Sequence, residues 1–351
     1  VGLLAVCTVF SLHSGFRSLF WTLDYLPNLL QQSATNIVLA VGMTFVIITG
    51  GIDLSVGSVL ALCGIALGTT LRGGVSLPIA VLIALPVAVV ALVPLSRRIE
   101  SPYTRAPVSA AVLAVLAGGL GYALYRGSMG GLRLEWAILL AVALGGSLGL
   151  VNGLGVTLGR TPPFVVTLGM MVAARGLTVY TTNGNSVSGL GERLRALGEN
   201  GPVVAIALVT AVLGWVILTR TAAGRQMTAI GGNEEATRLS GVDITLYKTL
   251  AYVLCGITAG LAAVILTAKF GVADTGAGTG YELYAIAAVV VGGTSLSGGR
   301  GTVAGTVAGA LTIAVLEAGL VLMGAPDTLQ RIIIGAVIVA TVMLDRSRRS
   351  R

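Results

Sequence analysis

The chain has 351 residues, of which 55% are apolar and 50 more are glycine, while charged residues make up only 10% and the mean hydropathy is +0.94. Soluble domains carry about 25% charged residues, so a water-soluble fold of this length could not be covered, and the bilayer is the solvent the composition fits. The net charge of +8 lies in short connections and the C-terminal tail, where it acts as a topology signal rather than a nucleic-acid footprint; the lone His13 and the dispersed Cys7, Cys63 and Cys255 exclude a two-imidazole site and a disulfide framework.

In lipid every backbone N–H and C=O needs an internal partner, so the spans are helices or a closed barrel. The apolar runs are long and unbroken, not alternating, which selects helices. The pattern predicts an all-α polytopic transmembrane bundle of about twelve spans within a single membrane domain, residues 1–351. The chain opens inside an apolar stretch, Val1–His13, read as a truncated first span and not as a cleaved signal. Ala34–Gly50 follows, then a break at Gly50-Gly51-Ile52-Asp53, and Leu54–Leu71 begins at once. Leu77–Leu95 and Pro107–Tyr125 come next, then Trp136–Leu158, Phe164–Tyr180 and Val203–Thr219. A polar connection over 220–248 separates these from Thr249–Ala268, Glu282–Leu296, Thr302–Met323 and Leu329–Leu344. No length remains for a soluble catalytic domain.

Lys and Arg are in excess on the connections that share a side with the C-terminus, chiefly 220–248 and the tail, so both termini are expected in the cytoplasm. Trp21, Trp136 and Trp215 fall near span ends, where indoles anchor at the interface. Glycines recur at four-residue spacing: Gly145, Gly149 and Gly153; Gly256 and Gly260; Gly301, Gly305 and Gly309. Each set shares one helix face and lets backbones approach, so a tight bundle is expected. The stretch Gly50–Gly57 is echoed by Gly292–Gly299, each between two apolar runs, which is a possible internal repeat.

Polar residues inside apolar runs are the candidate site. Glycines let the chain unwind at residues 50–51, and Asp53 or Ser55 can cap the next helix, contact a solute or take part in a gate. Arg175, Glu282 and Glu317 fall within spans, at roughly 2.5–3.5 kcal/mol each if unpaired at mid-bilayer. They therefore pair, face a wet pathway or reach an interface. Asn36, Thr44, Thr49, Asn152, Thr167 and Asn183 offer hydroxyls and amides, either to a polar solute or to neighbouring helices. The connection 220–248 spells a short polar helix: Asn233 as N-cap, Glu234 and Glu235 in the first turn, Arg238 near the end and Gly241 as the stop. A helix this short needs a docking partner.

The segment Asn36–Ser58 resembles the permeases of monosaccharide importers of the ATP-binding-cassette class, the ribose and xylose type. The resemblance continues at Val151-Asn152-Gly153, Thr161–Met171, Arg175-Gly176, Thr182-Asn183-Gly184, Gly224–Ala236 with Ser240-Gly241, and Ala285–Gly299. It implies a permease subunit of an importer in the bacterial cytoplasmic (inner) membrane. It also implies two permease copies, alike or different, an ATPase subunit and an extracytoplasmic sugar-binding protein. Within that resemblance Asn233, Glu234, Glu235, Arg238 and Gly241 form the segment that enters a groove on the ATPase. Asn36, Thr49, Asp53, Ser55, Asn152, Arg175, Asn183 and Glu282 are the candidates for the substrate pathway or gate.

Two departures stand out. Residues 73–135 are longer than the family pattern and read as an inserted pair of spans beyond a family-like ten. Glu282-Leu-Tyr284 replaces an acid that the family often has at the third position, so its role does not transfer. No Gly-x-x-x-x-Gly-Lys-Ser/Thr occurs and neither lysine follows a glycine, so ATP hydrolysis is expected in a separate subunit and no cofactor is expected in this one. The alternative is an ion-coupled secondary transporter with Glu317 as its buried carboxylate, which has no need of a docking helix. A membrane enzyme lacks support in paired carboxylates or metal ligands.

Overall fold

The computed structural model describes residues 25–343, apart from 75, 77, 85–120, 123, 128–129, 131, 327, 331, 338 and 340–342. The expected span Val1–His13, with Cys7, His13 and Trp21, lies outside the described residues, as do most of Leu77–Leu95 and Pro107–Tyr125, part of Leu329–Leu344 and the basic tail.

The described chain forms α1 (Tyr25–Ile48), α2 (Val56–Arg72), α3 (Leu134–Thr157), α4 (Pro163–Thr182), β1 (Val187–Ser188), α5 (Glu192–Leu197), α6 (Asn200–Arg220), α7 (Ala222–Gly232), α8 (Glu234–Leu239), α9 (Ile244–Phe270), β2 (Val272–Ala273), α10 (Tyr281–Val291) and α11 (Val303–Leu322). Six of these, α1, α3, α4, α6, α9 and α11, are long and apolar enough to cross a membrane. The protein is a helical polytopic membrane protein.

Four boundaries differ from the sequence expectation. Helix α1 starts at Tyr25 rather than Ala34, because Asn28, Gln31, Gln32 and Ser33 continue the helix as a polar first half behind Pro27, which is tolerated in a first turn. Helix α10 ends at Val291, so its 11 residues reach only about 16 Å, half the hydrocarbon thickness. The connection after Arg220 holds two helices, α7 and α8, not one. The fold also contains a two-residue antiparallel ladder, with Val187 opposite Ala273 and Ser188 opposite Val272.

Helix α2 is the hub. Nearly every residue from Val56 to Thr70 is buried, and it packs on α3, α4 and α9. The 27-residue α9 runs beside α1, α2 and α3. Its crossing with α3 depends on the spaced glycines: a Cβ on Gly145 would overlap the Gly256 carbonyl, one on Gly256 would overlap the Gly145 carbonyl, and one on Gly149 would overlap that of Tyr252. Backbone-to-backbone packing of this kind replaces the hydrophobic drive that lipid cannot supply between helices. Helices α4 and α6 are the outermost: Phe164, Val172 and Tyr180, and Leu208, Val212 and Trp215, are exposed. Such apolar faces suit lipid or another subunit.

Candidate functional site

The break between α1 and α2 is built from the sequence outward. Thr49 Oγ1 donates to Val46 O at 2.8 Å and closes the last turn of α1. Gly50 then takes φ +79°, a left-handed turn that glycine makes without a Cβ clash. Residues 51–55 run to the start of α2 without regular structure. Asp53 is 2% exposed, and its Oδ1 accepts from Ser55 N at 2.8 Å and from Ser55 Oγ at 2.6 Å. Asn152 Nδ2 on α3 donates to Ser55 Oγ at 2.9 Å, and Thr167 Oγ1 on α4 donates to Ile52 O at 3.3 Å. Helix α9 supplies Tyr252, whose hydroxyl fills the space a side chain at Gly51 would need.

Three of the expected residues, Asp53, Ser55 and Asn152, thus meet in one buried chain of hydrogen bonds. Asp53 braces the turn through Ser55 and does not cap a free helix end in solvent. No ion pair found among the described residues includes Asp53. Asn152 Oδ1 and Tyr252 Oη are buried without a hydrogen-bond partner. Each such atom costs about 1–3 kcal/mol where no water or solute reaches it. Tyr252 was not singled out in the sequence, because a tyrosine in an apolar run gives no sign of which neighbour it meets.

A second cluster lies one turn along α2. A Cβ on Gly57 would overlap Gly278 O and approach Glu282 Oε2 to 2.5 Å. Arg175 Nη1 on α4 donates to Thr275 O at 2.6 Å and Ala277 O at 3.0 Å. The carboxylates of Glu282 and Asp274 lie within its electrostatic reach. Arg175 and Glu282 therefore both lie at the loop that leads into α10, and no salt bridge among the described residues joins them. Asn36 and Asn183 are elsewhere. Asn36 borders a separate cavity, whose lining includes none of Asp53, Ser55 and Asn152. Asn183 is exposed and ends α4 in the left-handed conformation, φ 51° and ψ 36°, as a helix terminus.

The third region is α7–α8. Thr221 caps α7 by accepting from Gly224 N at 3.3 Å, and Asn233 caps α8 by accepting from Ala236 N at 3.0 Å. Glu234 is held twice, by Arg238 at 2.9 Å and by Lys248 of α9 at 2.5 Å, while Glu235 and Arg238 are 3.7 Å apart. Gly241, at φ +82°, turns the chain toward α9. Leu239 is 81% exposed at the end of α8, with Leu246 exposed close by in sequence.

Beneath this surface the two echoed glycine loops touch. Gly299 N donates to Ile48 O at 2.9 Å, and a Cβ on Gly298 would stand 3.0 Å from Gly50 N. Gly231, at the end of α7, packs on both: a Cβ there would overlap Ile48 O and stand 2.5 Å from Gly299 N. The two loops are not copies in detail. The first enters α2 at Val56, whereas the second runs on to Val303 before α11 begins.

A family model described as the branched-chain amino acid transport system / permease component matches residues 103–342. The chain is 37% identical to the ribose import permease protein RbsC of Escherichia coli K12, over 99% of this chain and 93% of that protein. It is 39% identical to the ribose import permease protein RbsC of Bacillus subtilis 168, over 92% of this chain and 84% of that one. With the xylose transport system permease protein XylH of Escherichia coli K12 it shares 31% identity, over 94% and 88% of the two chains. No solved structure matches. The similarity runs along nearly the whole of this chain: it belongs to the transport-system permease family and is a membrane-spanning permease component.

Proposed function

We propose that this chain is the permease subunit of an ATP-binding-cassette importer that moves a monosaccharide, a pentose or a hexose, inward across a bacterial cytoplasmic membrane by alternating access. Two permease copies, an ATPase subunit at the α7–α8 face and an extracytoplasmic sugar-binding protein at the opposite end complete the machine. Both termini are cytoplasmic, the spans number twelve, and residues 73–135 contribute an added pair. The relatives named for ribose and xylose support the substrate class.

The observation that carries the mechanism is the seat of Gly231 against Ile48 and Gly299. A push on α8 travels through α7 to the two loops that interrupt the bundle. Asn233, Glu234, Glu235, Arg238 and Gly241 form the coupling unit. Thr49, Asp53, Ser55 and Asn152 form the gate on which it acts, with Arg175 and Glu282 fixing the neighbouring turn; Asn36 and Asn183 serve the pathway at its two flanks. A glycine-lined junction can shift without rotamer clashes, and the buried chain Asn152–Ser55–Asp53 gives it two discrete arrangements, bonded or released.

The test is reconstitution in proteoliposomes with the ATPase and binding-protein partners encoded beside it. ATP-dependent uptake of labelled D-ribose, D-allose or D-xylose is expected, with none when the ATPase is omitted. Uptake by the isolated chain under an ion gradient alone would overturn this reading in favour of secondary transport.

A further inference from the structure

The cavity beside Asn36 lies apart from the Asp53 junction. Its volume is about 340 Å³, and it is a partly open hollow bordered by α1, residues 279–280, the start of α10, α11 and residues 334–335. Its polar lining comes from Gln32, Thr35 and Asn36 on α1, Thr279 just before α10, Tyr281 and Tyr284 on α10, and Glu317 on α11. Asn36 Oδ1 is buried with no hydrogen-bond partner, although it belongs to a side chain that borders open space. The rings of Tyr281 and Tyr284 stand edge to face, with centroids 6.3 Å apart.

We infer that this cavity is a binding site for one neutral monosaccharide within a single permease copy. The chemistry is specific to that class. A sugar presents hydroxyls that both donate and accept around a ring with apolar C–H faces. Two amides, two threonine hydroxyls and two phenols match such hydroxyls in either sense, a carboxylate accepts from them, and an aromatic ring takes the C–H face. Among the described residues no lysine or arginine lines the cavity and Glu317 does, which disfavours a sugar phosphate or sugar acid. The volume is at the small end of small-molecule pockets, fit for one ring and not two. Tyr281 also borders a second cavity, of about 530 Å³, between α2, α9 and the loop that carries Asp274 and Gly278. Tyr281 thus borders both spaces.

This inference rests on the sugar-importer reading above and assigns it a site. The assembled complex, with permease, ATPase and binding protein in proteoliposomes, is assayed for ATP-driven uptake of D-ribose, D-allose and D-xylose. Asn36→Ala and Glu317→Gln are expected to lower the maximal uptake rate at least tenfold, and Tyr284→Phe to change the order of preference among the three sugars. As a check that does not depend on those side chains, a Thr35→Cys complex is labelled with a membrane-permeant maleimide, and the transported sugar is expected to slow labelling at least fivefold. Rates and preference within twofold of wild type, or labelling indifferent to sugar, overturn the site while leaving the importer reading intact. A wild-type complex that transports none of the three sugars overturns both.

Discussion

The Asp53 junction and the α8 helix are both polar, yet they are held by opposite means. At the junction Asp53, Ser55 and Asn152 are almost fully buried, and the backbone contacts leave no room for a methyl group. On α8 the Arg238 ion pairs are open to water: the Arg238 side chain is 58% exposed and that of Glu235 is 71% exposed. Exposed pairs of this kind contribute about 0–1 kcal/mol, whereas an unmade bond at a buried polar group costs about 1–3 kcal/mol. The difference separates two kinds of requirement. Residues of the junction hold packed helices together, whereas the Arg238 pairs of α8 add little to the fold and leave that helix free to serve the coupling proposed above.

The sharpest way to break that contrast is to fill the junction. Gly57→Leu places a side chain onto Gly278 O and Glu282, where overpacking costs about 1–3 kcal/mol or more. We expect little folded protein to survive detergent extraction, as read by size-exclusion chromatography; a normal monodisperse yield would mean that the loop yields freely. Asp53→Ala comes next. It leaves Ser55 N and Oγ without their acceptor, and we expect at least about a tenfold fall in uptake together with a lowered Tm. Uptake at the wild-type rate would reduce Asp53 to a dispensable brace.

The complementary change is Glu234→Lys with Glu235→Lys. Both substitutions reverse the charge in the first turn of α8, and Glu234 also loses its bonds to Arg238 and Lys248. We expect unchanged membrane insertion and a Tm within a few degrees, but loss of ATP-driven uptake and of ATPase assembly. Retained uptake would count against coupling through this helix. The smallest effect is expected from Arg238→Ala, a stability change within about 0.5 kcal/mol. A larger drop in Tm would show that α8 carries folding energy after all and would erase the contrast.

Much of this was legible in the residues. The α8 cap at Asn233, the stop at Gly241 and the break at Gly50 are local signals, because a cap or a left-handed turn is decided within a few residues. The spacing of Gly145 and Gly149 announced close packing, since helical periodicity puts them on one face. The partner faces were not legible. Nothing near Asn152 says that it meets Ser55, 97 positions away, and nothing near Tyr252 says that it fills the space at Gly51. The cavity at Asn36 was equally hidden, for it needs residues from α1, α10 and α11 to arrive together.

By itself, then, the amino-acid order determined the solvent, the helical character, the places where helices break and the family to which the chain is kin. Those properties follow from composition, period and short-range backbone sterics. Only the tertiary structure decided that the two glycine loops touch, that α7 seats on both, that α10 spans half a membrane, and which polar groups share a cavity. Each of these depends on how helices cross, and crossing is fixed by side chains far apart in the chain, whose pairing no local pattern encodes.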